Sequence, residues 1–332
     1  MSIKAVLVSP ATQAANNGNW HTAHRWSQFL SQNLDDCDIA IMTQWPNSCA
    51  APDAFSKSPA DVMIALHARR SAASIAAWAS ACPAKPLILV LTGTDLYRDI
   101  QHDPLAQQSL ALATHIVVLQ EAGLAALPEA YRAKTRVIYQ SAPRLKPAAK
   151  STHRFVALMV GHLRAEKDPL TFMKAARHAV STTIHFEQIG MALEPDLEQA
   201  ALETARLNPY YRWLGGLPRA ATRQRIKRAH VLVNASKMEG GAHVILEAVQ
   251  SGTPVLASRI DGNVGMLGKH YSGYFELGDD AQLAQLVQRC ALQPDFLALL
   301  QSQCQQRTHL FEPALEKRLV LNLISSALKE ST

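Results

Sequence analysis

The chain has 332 residues, 48% of them hydrophobic, 18% charged and 6% aromatic, enough apolar content for one large core or two ordinary ones. Lysine and arginine exceed aspartate and glutamate by 33 − 27 = 6, an excess that suits an anionic small molecule, while the lack of any dense basic tract argues against nucleic acid as a partner. No apolar run reaches the roughly 20 residues of a membrane helix, the start Met1-Ser2-Ile3-Lys4 has no extended secretory apolar segment, and the five cysteines are scattered without a CxxC pair, which argues against a disulfide framework or zinc site and makes a reducing cytoplasm the expected location.

Ala5-Val6-Leu7-Val8 opens a series of short β-rich runs that continues at 38–42, 62–66, 87–91, 116–119 and 137–139. Helices are expected between them over 22–32, 72–81, 105–113 and 121–126. Continuous apolar strands alternating with helices argue a parallel sheet covered on both faces. The stretch 143–152 breaks the pattern with Pro143, Pro147 and several Lys, Ala and Ser residues, and reads as an exposed linker. The alternation restarts at 155–160 and runs through 183–189, 211–214, 231–233 and 254–257, and a helix-like segment, 313–330, follows. The economical reading is an α/β chain of two doubly wound parallel-sheet domains, 1–145 and 153–312, with 313–332 packing back across them. Ligands of such sheets sit at the carboxyl ends of the strands, so a central cleft between two facing domains is expected.

The most informative segment is Ser236-Lys237-Met238-Glu239-Gly240-Gly241-Ala242-His243-Val244-Ile245-Leu246-Glu247, followed by Ser251-Gly252-Thr253-Pro254-Val255. It reads as strand, carboxylate, glycine turn, then a helix carrying a second carboxylate about two turns in. Amides of Gly240 and Gly241 at a helix start attract phosphate oxygens, and the two carboxylates seek hydroxyls, a combination that a nucleotide sugar satisfies. The plainer alternative, a solvated loop, leaves Glu247 without a partner on an apolar helix face. Val160-Gly161-His162-Leu163-Arg164-Ala165-Glu166-Lys167 is again strand, glycine and loop, and Arg164 and Lys167 can neutralise a diphosphate leaving group. Alone they would read as surface cations; beside the Glu239 segment they read as a second phosphate loop.

The N-terminal half carries a different set. Asn16-Asn17-Gly18-Asn19 follows the first strand, and Gly18 and Asn19 suit a tight turn whose amides face a ligand; a simple Asx-rich turn is the alternative. His67-Ala68-Arg69-Arg70-Ser71 follows the third strand and opens a helix, a basic start that is unfavourable against the helix dipole unless an anion binds there. Thr94 and Asp95, after the fourth strand, could contact a sugar or cap a helix, and Gln140 and Ser141 could line the same cleft or merely end a strand. No P-loop or dinucleotide fingerprint is present.

Together these residues resemble a retaining-type family 4 glycosyltransferase of the GT-B fold, two facing Rossmann-like domains, over nearly the whole chain. The most specific element is Glu239-x7-Glu247 with Ser251-Gly252-Thr253-Pro254-Val255. The resemblance implies that Glu239 holds the donor sugar, Glu247 the ribose, Gly240, Gly241 and Ala242 sugar or phosphate, and Gly161 and Lys167 the phosphate loop; His162 and His243 border the same donor site. His162 stands where that family usually has Arg, with Arg164 the candidate replacement, and Thr92 stands where it commonly has His. A narrower resemblance rests on 66–72, 91–99, 161–164 and 238–241: these segments look like the selenosugar synthase family of selenoneine biosynthesis. It implies transfer of N-acetylglucosamine, or glucose, from a UDP-sugar to selenophosphate, with UDP and phosphate released, and coupling to other enzymes of that pathway. Arg164, Lys167 and Glu239 are then the expected catalytic residues, the two cations stand in for a metal, and no cofactor or membrane is expected. By charge and placement, Gly18, Asn19, His67, Arg69, Arg70, Thr94, Asp95, Gln140 and Ser141 are the acceptor-side candidates. A hydroxyl-acceptor glycosyltransferase and a non-catalytic nucleotide-sugar sensor are the competing readings.

Overall fold

The computed structural model describes residues 3–12, 18–33, 37–46, 60–178 and 181–330. The chain divides into two compact units, Met1–Gln140 with Pro313–Thr332, and Ser141–Glu312. Each is built on a six-stranded sheet in which every pairing is parallel. The physical reason is visible in the strands. Val62–Leu66 and Leu87–Leu91 are buried at every position, as a sheet covered by helices on both faces requires.

In the first unit the strands are β1 (Ile3–Val8), β2 (Cys37–Met42), β3 (Val62–Leu66), β4 (Leu87–Leu91), β5 (His115–Val118) and β6 (Thr135–Val137), in the order β2-β1-β3-β4-β5-β6. Side-chain alternation divides them between two cores. Val6, Val8, Met63 and Ala65 pack with Trp78 of the helix Ala72–Ala81 and with Leu96 and Leu110. Ala5, Leu7, Ile64 and Leu66 pack with Trp26 and Leu30 of the helix Gly18–Asn33 and with Val320 and Ile324 of the helix Pro313–Glu330. That last helix, expected to span both domains, is fixed to the first unit by one buried carboxylate. Glu316 accepts from Arg25 Nε at 2.7 Å, Arg25 Nη2 at 2.8 Å and Trp26 Nε1 at 2.8 Å.

The second unit holds β7 (Phe155–Val160), β8 (Ile184–Ile189), β9 (Tyr211–Trp213), β10 (Val231–Asn234), β11 (Val255–Ser258) and β12 (Tyr274–Phe275), in the order β12-β11-β10-β7-β8-β9. Both orders reverse direction once, between β1 and β3 and between β7 and β10. Such a reversal splays the loops that leave two neighbouring strands and opens a crevice at their carboxyl ends. The stretch 143–152 has no helix or strand, as its composition predicts. No described helix is long and apolar enough to cross a membrane.

Candidate functional site

In the second unit the loop leaving β7 and the loop leaving β10 meet at the reversal. The first runs through Gly161 and His162 to a 3-10 turn, Ala165–Lys167. The second runs from Ser236 to the helix His243–Val249. Lys237 N–H donates to Glu166 O at 2.9 Å, tying the two loops together. Lys167 lays its stem beside Gly161, where an added Cβ would sit 3.5 Å from its Cγ and Cδ. Its Nζ then reaches Glu239 Oε1 at 2.5 Å, the same oxygen that accepts from Ser236 Oγ at 2.6 Å. Burial alone would raise the Glu239 carboxyl. The charge and hydrogen bond of Lys167, the Ser236 hydroxyl and the charge of Arg164 outweigh it and hold Glu239 below the usual carboxylate range.

Arg164 is the unspent group of this cluster: its Nε is buried with no hydrogen-bond partner among the described residues. Such a donor costs free energy unless a ligand acceptor meets it. His162 takes a different part. Its Nδ1 accepts from Met191 N–H at 3.2 Å, and burial, with Arg164 and Lys167 nearby, lowers its pKa. A neutral, backbone-bound ring fixes the loop and adds no charge to those of Arg164 and Lys167.

Two glycines make this approach of loops possible. A Cβ on Gly190 would lie 1.9 Å from Gly161 O, and one on Gly262 would lie 2.0 Å from Glu239 O. Gly262→Ala therefore pushes the Glu239 backbone away without altering any charge. We expect a loss of about 1–3 kcal/mol in stability, read by thermal unfolding.

Glu247 lies just over one turn into its helix, not two, because the helix begins at His243. It is 5% exposed and has the partners its burial demands. Arg219 Nε and Nη2 each donate to its Oε1 at 3.4 Å, Arg223 Nε lies at 3.8 Å and His243 Nε2 at 3.7 Å. Arg219 also reaches His243 Nε2 at 3.1 Å. Sequence reasoning missed Arg219 and Arg223. Their spacing of four on the basic helix Arg219–Arg228 was the available signal. It missed Ser236 too, three residues before Glu239. Gly240 is buried, Gly241 half-buried, and Ala242 precedes the first helical residue.

In the first unit the loops after β3 and β4 are stitched together, and several expected acceptor contacts are already committed. Asp95 is fully buried, and its two oxygens accept from Ala68 N–H at 3.0 Å, Thr92 N–H at 2.9 Å and Gly93 N–H at 2.8 Å. It therefore holds the loops in place and does not reach for a sugar. Thr94 likewise makes no side-chain cap; its hydroxyl meets His67 Nε2 at 3.0 Å. His67 has φ 73°, an unusual backbone for a bulky residue. Its Nδ1 accepts from Arg70 N–H at 3.3 Å, so the ring is the neutral Nε2–H tautomer.

The basic cluster is thus narrower than its sequence suggests. Arg69 is paired with Asp99 at 3.0 Å, and Arg98 lies on the other oxygen of the same carboxylate at 3.1 Å. Burial would raise Asp99, but hydrogen bonds and charge from Arg98 and Arg69 lower it. Arg70 is the one cation of the three with no ion pair among the described residues. Gly18 and Asn19 are not in a turn but start the helix Gly18–Asn33, and Asn16 and Asn17 lie outside the described residues. Gln140, expected to face a ligand, instead donates from Nε2 to Thr22 Oγ1, while Ser141 is buried where the second unit begins. Among the described residues no three His, Cys, Asp or Glu side chains gather as a metal-binding group.

Burial lowers the pKa of His67, and of His230, whose Nδ1 accepts from Val156 N–H at 3.0 Å. A histidine lowered in the folded state binds fewer protons than in the unfolded chain, so its stabilisation is complete above the unfolded value and is lost as pH falls below it. Melting temperature should hold above about pH 6.5 and decline below it. Ring-proton NMR should place both midpoints below that of free histidine.

Comparison with known proteins agrees with this layout. Residues 144–304 match the family model described as glycosyl transferases group 1, nearly the whole second unit. The glycosyltransferase 1 domain-containing protein 1 of Xenopus tropicalis is 29% identical over 149 residues, 44% of this chain; the chain covers 43% of that relative's length. Sucrose-phosphate synthase from Thermosynechococcus elongatus superposes with a TM-score of 0.78 at 15% identity, covering 99% of this chain and 100% of that one. Anabaena HepE in complex with UDP and glucose gives 0.73 at 16% identity, covering 98% and 100%. The fold is the GT-B fold of glycosyltransferases.

Proposed function

We propose that the chain is a glycosyltransferase whose second unit takes a UDP-sugar and whose acceptor is selenophosphate. The observation that carries the donor half is the pairing of Lys167 with Glu239 at the reversal of the second sheet, beside an Arg164 with an unmet buried donor. Arg164 and Lys167 are placed to neutralise the diphosphate as the bond to the anomeric carbon breaks. Glu239, ionised, accepts from sugar hydroxyls, and Glu247 from the ribose. Solved relatives of the same fold carry UDP with glucose, which supports a UDP-sugar as donor.

The acceptor half rests on the resemblance of 66–72 and 91–99 to the selenosugar synthase family and on the chemistry of the nucleophile. Selenophosphate is already anionic, so it needs a cation to position it more than a base to deprotonate it. His67 and Asp95, whose hydrogen-bonding atoms are committed, build the loop, and Arg70 offers the charge. Selenium attacks the anomeric carbon, the carbon–oxygen bond to UDP breaks and its electron pair leaves with UDP. Water then cleaves the selenium–phosphorus bond, giving the 1-seleno-sugar and phosphate.

Incubation with UDP-N-acetylglucosamine and selenophosphate should give a selenium-containing sugar by mass spectrometry, with UDP and phosphate. UDP release only with a hydroxyl acceptor, or UDP-sugar binding without turnover, overturns the acceptor. Arg70→Ala should raise the apparent KM for selenophosphate about tenfold and leave UDP affinity unchanged. An equal loss of UDP affinity refutes the placement.

A further inference from the structure

The second unit carries a concentration of arginine at the wrong end of its sheet for the donor site. A cavity of about 290 Å³ lies at the beginnings of its strands, lined by Ser151, Arg154, Val156, Glu187, Arg225 and Arg228. The donor loops leave the other ends of the same strands. From Val156 to Gly161 along β7 is roughly 17 Å at the rise of a strand.

The register explains how the charges gather. Val156 pairs with His185, Leu158 with Glu187, and Glu187 with Arg212, so these side chains share one face of the sheet. The helix Arg219–Arg228 covers that face and brings Arg225 to Glu187 at 3.3 Å. Lys150 anchors the end of this helix: its Nζ donates to Lys227 O and Ala229 O, both at 2.7 Å, and to Thr253 Oγ1 at 3.0 Å. Burial brings its pKa down to about 8. The cavity rim is therefore a held structure.

Three arginines thus line the cavity with one carboxylate, and only Arg225 is paired with it, while Arg212 stands beside Glu187 in the register of the next strand. The guanidinium groups of Arg154, Arg212 and Arg228 make no ion pair or hydrogen bond among the described residues. Their field reaches His185, whose pKa is lowered by burial and by the charges of Arg154 and Arg212, against the pull of Glu187. Three guanidinium groups around one carboxylate leave a positive excess at the cavity, which attracts an anion. Guanidinium forks match phosphate oxygens in pairs. Glu187, only 3% exposed, adds an acceptor for hydroxyls at the cavity floor.

We propose that this cavity is a second anion site, distinct from the donor site, that binds a small phosphate monoester bearing hydroxyl groups. Its volume is near the lower end of ligand pockets, about 300 Å³, which suits such a molecule and not a whole nucleotide sugar. The inference stands independently of the proposed activity, because none of these residues belongs to the donor or acceptor sets.

The test is calorimetric titration of the full chain with glycerol 3-phosphate. Saturable binding is expected, weakened about tenfold by Arg154→Gln or Arg228→Gln and abolished when both are changed, with UDP affinity and melting temperature unaltered. These side chains are exposed and unpaired, so the fold does not depend on them. Absence of saturable binding, binding that survives the double change, or response to a polyanion such as heparin but not to glycerol 3-phosphate overturns the proposal. So does competition between glycerol 3-phosphate and UDP, which would place the phosphate in the donor site.

Discussion

Lys167→Ala should cut sugar transfer by about two to three orders of magnitude, the scale of removing one charge that meets a developing oxyanion. The same change should lower stability, because Glu239 loses the cation that holds it ionised at 10% side-chain exposure. Breaking a buried pair from one side costs about 3–5 kcal/mol; Lys167 is 21% exposed, so the lower end applies. The double change Lys167→Ala with Glu239→Gln separates the two effects. Neutralising the stranded carboxylate should restore most of the melting temperature and none of the turnover. Recovery of turnover along with stability would mean that Lys167 only supports Glu239 and never meets the leaving group.

Glu247→Ala should weaken UDP binding by about tenfold to a hundredfold, the range for hydrogen bonds to a charged acceptor. Turnover at saturating donor should fall less, since the ribose lies away from the bond that breaks. The structure adds a second consequence. Glu247 Oε1 gathers Arg219, Arg223 and His243, and Arg223 also donates from Nη2 to Pro143 O at 2.6 Å. Removing the carboxylate leaves the Arg219 and Arg223 guanidinium groups without their shared counter-charge, so added salt should partly rescue Glu247→Ala by screening them. Titration of UDP at low and high ionic strength reads this directly. Unchanged UDP affinity in Glu247→Ala would remove Glu247 from the donor site.

Local pattern carried most of the fold. The helix expected over 72–81 is Ala72–Ala81, and the runs at 62–66 and 87–91 are β3 and β4 at the same bounds. Apolar continuity sets these elements, and it is a property of neighbouring residues. The misses sit where distant contacts decide. Gly18 and Asn19 favour a turn by local chemistry, but the helix gains Trp26 and Leu30 as core side chains, which outweighs a weak start. The last strand of the first sheet lies at Thr135–Val137, earlier than 137–139, because its pairing with Ile116, Val117 and Val118 sets its bounds. A π-helical turn at Asp95–Asp99 had no signal in composition, since it depends on Asp95 capturing amides from two loops.

By itself the sequence determined the two loops that carry the candidate donor residues. Gly161 and Lys167 lie at a spacing set by strand and turn, and Glu239 and Glu247 at one set by turn and helix, whereas the meeting of the two loops through Lys167 and Glu239 follows from the pairing of β7 with β10. The partners of those residues were decided only by the tertiary structure. Arg219, Arg223 and Gly262 meet them from separate elements, and Ser236 from within the loop of Glu239. The same holds in the first unit, where Arg69 and Arg70 are neighbours in sequence and equivalent in charge. Asp99 folds back to pair with the first and leaves the second without an ion pair among the described residues. Charge along a chain shows what a site could attract; which charges remain unspent depends on the carboxylates that folding brings beside them.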